Sequence, residues 1–179
     1  CSEEELTLLR RVLGCHHLCK LKIYGEIRRA LPEYHYFSPS LTKLELCYSK
    51  LEEDPMPTLE KLPSLSWLGL YQDAFVGEEM VCSAMGFPQL TSLELRALPN
   101  LDKWRVDKGA FPNLTHLMIC NCKKLKMIPD ELRFVTTLQE LEIWRMPESF
   151  ENRLRVVDGE EGQDFYKVRH VPNIKFNSW

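Results

Sequence analysis

Four short stretches carry residue types that could do chemistry. Cys15-His16-His17-x-Cys19 places four potential metal ligands in five residues. That is too crowded for one chain segment to wrap a tetrahedral ion easily, so the stretch reads as the lead-in to a strand and no metal is expected. Cys120-Asn121-Cys122 holds two thiols without the Cys-x-x-Cys spacing of a redox pair. Asn113-Leu114-Thr115 is a formal glycosylation sequon, but Leu114 opens a core strand in the pattern below, so chance is the better account. Asp158, Glu160, Glu161 and Asp164 lack the ordered spacing of a calcium loop and read as a solvated, mobile loop. The chain contains no Gly-x-Ser-x-Gly elbow and no Gly-x-x-x-x-Gly-Lys-Ser/Thr loop. Its histidines and cysteines form no compact nucleophile–base arrangement. These residues point to no enzyme, no cofactor and no small-molecule substrate.

The elements that must position any site are set by a repeat. Leu-x-x-Leu-x-Leu/Ile occurs at Leu18-Leu21-Ile23, Leu41-Leu44-Leu46, Leu65-Leu68-Leu70, Leu90-Leu93-Leu95, Leu114-Leu117-Ile119 and Leu138-Leu141-Ile143. Successive starts lie 23 to 25 residues apart. A fixed period in this range marks a leucine-rich-repeat solenoid, an α/β fold with a curved parallel β-sheet on its concave face. Side chains alternate in a strand, so Leu-x-Leu puts two leucines on one face, and the first leucine enters from the preceding turn. One repeat cannot bury its own leucines, so neighbours must stack. Cys122 takes the Asn/Cys position of the repeat, where the side chain serves the turn backbone.

Between strands, Thr58 to Leu62 reads as one or two helical turns bounded by Pro57 and Pro63, and Glu78 to Met85 as a short helix ending at Gly86. Pro129 to Val135 reads as a helical stretch that starts on proline, where helices accept it. Phe87-Pro88 and Phe111-Pro112 push the chain toward extended conformations. Residues 1–17 read as the end of a preceding, incomplete repeat. Within them, Ser2 and Glu5 match a capping box, and Leu6, Leu9, Val12 and Leu13 follow helical spacing. About six repeats fill 18–146. Residues 147–179 read as a C-terminal cap, with a helix over Pro147 to Arg155 and a degenerate seventh copy, Val171-x-x-Ile174-x-Phe176. A solenoid that reads as closed at its C-terminus and open at its N-terminus suggests the closing end of a larger protein.

The net charge is −3 and no Lys/Arg run exceeds two residues, so no nucleic-acid or membrane-surface partner is expected. No apolar stretch approaches the roughly 18 residues of a membrane helix. Seven cysteines make an odd count, read as reduced, packing thiols of a cytoplasmic protein.

Several strings resemble one family. They are Glu53-Asp54-Pro55-Met56-Pro57-Thr58-Leu59-Glu60-Lys61-Leu62-Pro63, Phe75-Val76-Gly77-Glu78-Glu79-Met80, Gly86-Phe87-Pro88-Gln89-Leu90, Leu125-Lys126-Met127-Ile128-Pro129-Asp130-Glu131-Leu132 and Asp164-Phe165-Tyr166-Lys167-Val168-Arg169-His170-Val171-Pro172. Together they are similar to the closing repeats of coiled-coil-class plant nucleotide-binding leucine-rich-repeat immune receptors. The resemblance implies an intracellular disease-resistance receptor whose repeats sense a pathogen effector and hold the resting state against the receptor's own nucleotide-binding module. Rival readings are the substrate-binding repeats of an F-box ubiquitin-ligase adaptor, an extracellular receptor ectodomain, and a repeat regulator of an enzyme without an immune role.

A partner would meet the outward strand positions. The expected protein-binding residues are Lys22, Tyr24, Glu45, Trp67, Tyr71, Glu94, Arg96, Glu142 and Trp144, with Cys47, Gly69, Met118 and Cys120 on the same face and Lys43, Ser92, His116 and Glu140 alongside. Tyr, Trp and Arg are the types most often found as hot spots, which puts Tyr24, Tyr71, Arg96 and Trp144 foremost. As exposed sites, Tyr71 and Trp144 are expected to tolerate alanine with little loss of stability. The plainer reading is a solvated sheet face whose aromatics pair across strands.

Overall fold

A computed structural model describes residues 3–177. In chain order its strands are β1 (Lys20–Tyr24), β2 (Lys43–Cys47), β3 (Trp67–Tyr71), β4 (Glu79–Cys82), β5 (Ser92–Arg96), β6 (Lys103–Val106), β7 (His116–Cys120), β8 (Glu140–Trp144), β9 (Val156–Val157), β10 (Glu160–Glu161) and β11 (Asn173–Asn177). The helices are α1 (Glu3–Leu13), α2 (Met56–Leu59) and α3 (Glu148–Leu154). Seven strands form one sheet in the order β1-β2-β3-β5-β7-β8-β11, and every pair in it is parallel. This is the leucine-rich-repeat solenoid.

The register explains the repeat. Leu21, Leu44, Leu68, Leu93, Leu117, Leu141 and Ile174 lie side by side across the sheet. Ile23, Leu46, Leu70, Leu95, Ile119, Ile143 and Phe176 form a second row. The first leucines of the motif, from Leu41 to Leu138, make a third buried row behind them. Each fully buried leucine contributes roughly 1.5–3 kcal/mol, so these rows dominate the stability of the stack. The degenerate seventh copy supplies β11, as its spacing predicts.

After each sheet strand from β1 to β8 the chain turns through a left-handed residue: Gly25, Tyr48, Gln72, Ala97, Asn121 and Arg145 all have positive φ. A hydroxyl ladder precedes the strands. Thr42 Oγ1 donates to Cys19 O, Ser66 Oγ to Thr42 O, Thr91 Oγ1 to Ser66 O and Thr115 Oγ1 to Thr91 O, at 2.9–3.1 Å. Each hydroxyl directly follows the first leucine of its repeat and ties one coil to the one before.

Several local expectations are corrected. Glu78 to Met85 is not a helix: β4 lies there and pairs with β6 in a second, parallel two-stranded sheet. Its burial alternates, with Met80 and Cys82 inside, matching Trp104 and Val106 on β6. A period of two is a strand period. Gly86 is therefore no helix cap. It is a close-approach position, where a Cβ would sit 2.9 Å from both Glu60 Oε2 and Ser83 O. Phe87 and Phe111 are not extended before their prolines; both are left-handed, with φ of 58° and 57°. Their turned backbone drops the rings into the core, stacked 5.0 Å apart with Trp104 edge-on to Phe111.

At the chain's start, Leu13 is fully buried and Leu9 packs against the core, whereas Val12 is exposed. The expected Ser2–Glu5 capping box lies outside the described residues. The helix after Asp54 begins at Met56 and takes Pro57 into its first turn, so Pro57 does not bound it. Asp130–Phe134 forms a 3-10 helix after Pro129. Asp158 to Asp164 is not a loose acidic loop. Strands β9 and β10 pair across a turn at Asp158-Gly159, both left-handed, the turn chemistry of a tight hairpin.

Candidate functional site

The outward side chains of the sheet form a connected polar and aromatic lattice. Lys22 and Lys43 both reach Glu45, at 3.0 and 3.2 Å. Burial alone would raise the Glu45 carboxyl, but hydrogen bonds from the two lysines outweigh it and hold the group below the usual range. Lys43 Nζ also sits 3.9 Å from the centre of the Trp67 ring, a cation–π contact. The Trp67 and Tyr71 rings lie 6.3 Å apart on β3. Tyr71 Oη donates to Glu94 at 3.0 Å, and Arg96 pairs with the same carboxylate at 2.8 Å while facing the Tyr71 ring. Burial beside the Glu94 carboxylate pushes the Tyr71 phenol well above its ordinary range.

Gly69 makes this arrangement possible. A Cβ there would stand 2.7 Å from the Tyr71 ring and 2.8 Å from the Trp67 ring. Both aromatics lean across the bare glycine backbone and cover it.

The structure thus joins Lys22 to Glu45, and Trp67, Tyr71, Glu94 and Arg96 to one another. Tyr24 stands apart from them. It is 72% exposed and packs edge-on against Tyr48, with ring centres 5.1 Å apart. Trp144 is half-buried at the end of β8, in register with Cys120, and so is not the exposed site it was expected to be. Glu142 lies 3.2 Å from His116 Nε2. Tyr71 is not the fully exposed position it was expected to be: half-buried and hydrogen-bonded, it is part of the lattice, so its alanine variant would disturb structure as well as surface. Tyr24 is the cleaner probe.

The other stretches with chemical potential have local roles. Cys15 Sγ donates to Arg11 O, His16 Nδ1 faces Gly14 O, and Cys19 Sγ donates to His17 O. These three side chains turn to separate carbonyls. Cys122 is fully buried, its thiol pushed up to about 12 by burial, and it donates to Leu95 O and Cys120 O. That is the turn role its repeat position predicts. Asn113 Nδ2 donates to Pro88 O of the preceding coil at 2.7 Å.

One group lay beyond sequence reasoning. Lys167, in the string most specific for the resemblance, is 2% exposed. Its ammonium lies 2.7 Å from Asp130, 3.0 Å from Asp164 and 3.0 Å from Ile128 O. Asp164 is buried too and accepts two bonds from Arg153, at 2.5 and 3.1 Å. His170 Nε2 lies 3.0 Å from Val135 O, and Tyr166 Oη donates to Asp130. The string is a clamp that fastens the end of the chain to the coil around residues 128–135. Lysine and aspartate spaced three apart are common in solvated turns, so only the fold reveals that this pair is buried.

No family model matches the chain. Among curated proteins the likeness is strong. "Probable disease resistance RPP8-like protein 2" of Arabidopsis thaliana is 45% identical over 165 residues, 92% of this chain and 18% of that protein. Disease resistance protein RPP8 of the same plant is 44% identical over 162 residues, 89% of this chain and 17% of that protein. The chain is a leucine-rich-repeat homologue of plant disease resistance proteins. Disease susceptibility protein LOV1, also of Arabidopsis thaliana, is 42% identical over 165 residues. This disease-resistance homologue spans less than a fifth of the length of the curated relatives it matches. Among its described residues, no helix is long and apolar enough to cross a membrane.

Proposed function

We propose that this chain is the protein-recognition surface of a plant intracellular disease-resistance receptor, working by non-covalent binding in the cytoplasm. The observation that carries the reading is the outer sheet face. It sets Tyr24, Trp67, Tyr71, Arg96 and Trp144 on four strands of one seven-stranded sheet, and homology to disease resistance proteins supplies the context. Trp67, Tyr71 and Arg96, held in place by the lattice, lose little conformational freedom on binding, which suits them as anchors. The paired carboxylates Glu45, Glu94 and Glu142 would then set the register with a partner more than they would add affinity.

Two partners fit this reading: a pathogen effector, and the receptor's own nucleotide-binding module in the resting state. The test uses the full receptor that carries this chain. Tyr24→Ala and Trp144→Ala are introduced together, and effector-triggered cell death is measured beside co-precipitation of the separately expressed nucleotide-binding module. Loss of either readout at unchanged receptor abundance supports the proposal. Wild-type behaviour in both would move recognition off this face.

A further inference from the structure

Three outward side chains at the β7–β8 edge of the lattice converge in a way that pairing across strands does not require. His116 and Glu140 are direct register partners, and Glu142 lies two residues further along β8. One ligand atom from each lies within 4.8 Å of the other two. His116 Nε2 and Glu142 Oε1 are already 3.2 Å apart. All three residues are partly buried. We infer that His116, Glu140 and Glu142 form a binding site for a divalent transition-metal ion of the zinc class.

The donor set suits that chemistry. Imidazole nitrogen and carboxylate oxygen are both zinc ligands, with metal–ligand arms of about 2.0–2.2 Å. Tetrahedral arms of that length put neighbouring ligand atoms about 3.4 Å apart. The His116–Glu142 pair meets this distance, and Glu140 needs only a side-chain rotation to follow. The imidazole is also oriented from behind, since Ser92 Oγ lies 3.0 Å from His116 Nδ1. With the Nδ1 proton given to Ser92 Oγ, the Nε2 lone pair faces the two carboxylates. A hydrogen-bonded second nitrogen is how metal-binding histidines are held in their tautomer. Three protein ligands leave a coordination position open on the outer face of the sheet.

Lys175 opposes the ion. Its ammonium contacts Glu140 Oε1, and Asn173 Nδ2 donates to the same oxygen at 3.4 Å. Lys175 is in register with Glu142 on β11, so it occupies the carboxylate side of the site as a built-in competing cation. This predicts an unusual variant: replacing Lys175 strengthens metal binding.

The test is isothermal titration of the 179-residue chain with Zn2+, with far-ultraviolet circular dichroism confirming the fold of each variant. The wild type binds one equivalent at this site. His116→Asn and Glu142→Gln each weaken that binding at least tenfold, and Lys175→Met tightens it by about tenfold. Ser92→Ala weakens it by about 10-fold, as loss of an outer-shell partner does. Should His116→Asn fail to fold, Glu142→Gln and Lys175→Met carry the test. No stoichiometric Zn2+ binding would overturn the inference. So would binding that survives His116→Asn and Glu142→Gln but is lost in Cys15→Ser/Cys19→Ser.

Discussion

Replacing Lys167 with methionine tests the clamp. Methionine keeps most of the stem's volume and removes the charge. The lysine ammonium makes three close polar contacts inside the protein, to Asp130, Asp164 and Ile128 O. Breaking a buried pair by deleting one partner costs about 3–5 kcal/mol, because a buried charge is left uncompensated. Here Asp164 keeps its two bonds from Arg153. Asp130 is exposed enough to be rescued by water. The loss should therefore sit at the lower end, about 3 kcal/mol. For a chain of this size that lowers Tm by about 6–12 °C. Thermal and urea unfolding followed by circular dichroism provide the assay. Asp130→Asn, at the wet side of the clamp, should cost under about 1 kcal/mol, as surface ion pairs do. If Lys167→Met lost less than about 1 kcal/mol, the clamp would be ornamental and the string's structural role would be refuted.

Three further outcomes follow from the same geometry. Leu117→Ala, at a fully buried site between Leu93 and Leu141, should cost about 2–5 kcal/mol by leaving a cavity, read as a lower urea midpoint. Gly69→Ala should unseat the Trp67 and Tyr71 rings, which tilt aside more cheaply than backbone; near-ultraviolet dichroism changes while far-ultraviolet dichroism does not. Asp54 gives a pH signature. Burial raises its carboxyl to about 6 from 3.8, against the backbone N–H groups of Met56 and Val81 that donate to it. A folded-state value above the unfolded one favours the folded chain while the group is protonated, so this contribution is complete below 3.8 and is lost as pH rises through about 6. Asp54→Asn should flatten unfolding stability across that window; an unchanged slope would refute the assignment.

The spine of this protein was legible because leucine is costly to expose and strands alternate. A period of about two dozen residues with Leu-x-Leu inside it leaves few other ways to bury those side chains. The outward positions followed from the same alternation, so Lys22, Tyr24, Trp67, Arg96 and Trp144 could be placed before any coordinates. What was not legible depended on contacts between coils. The Glu78 to Met85 stretch mixes acidic and apolar residues at a spacing that suits a helix turn, and only its neighbour β6 shows the alternation to be that of a strand. Phe87 and Phe111 obey the restriction that proline places on extended backbone only in the absence of a core. Inside one, burying two stacked rings outweighs a left-handed backbone. The half-burial of Tyr71 comes from Glu94 and Arg96 one coil away. His116, Glu140 and Glu142 meet only through a strand pairing whose register brings residues 24 apart side by side. One signal was available and missed: Thr or Ser follows the first leucine at 42, 66, 91 and 115, which marks the hydroxyl ladder.

The most direct measurement of the central claim is hydroxyl-radical footprinting of the full receptor with and without its partner. Met85 and Phe134 are well exposed, lie off the outer sheet face and serve as internal references. The account predicts protection of Tyr24, Trp67 and Trp144 on partner binding, with Met85 and Phe134 unchanged and the buried leucine rows unlabelled throughout. Protection confined to Met85 and Phe134, or labelling of Leu93 and Leu117 in the free receptor, would contradict it.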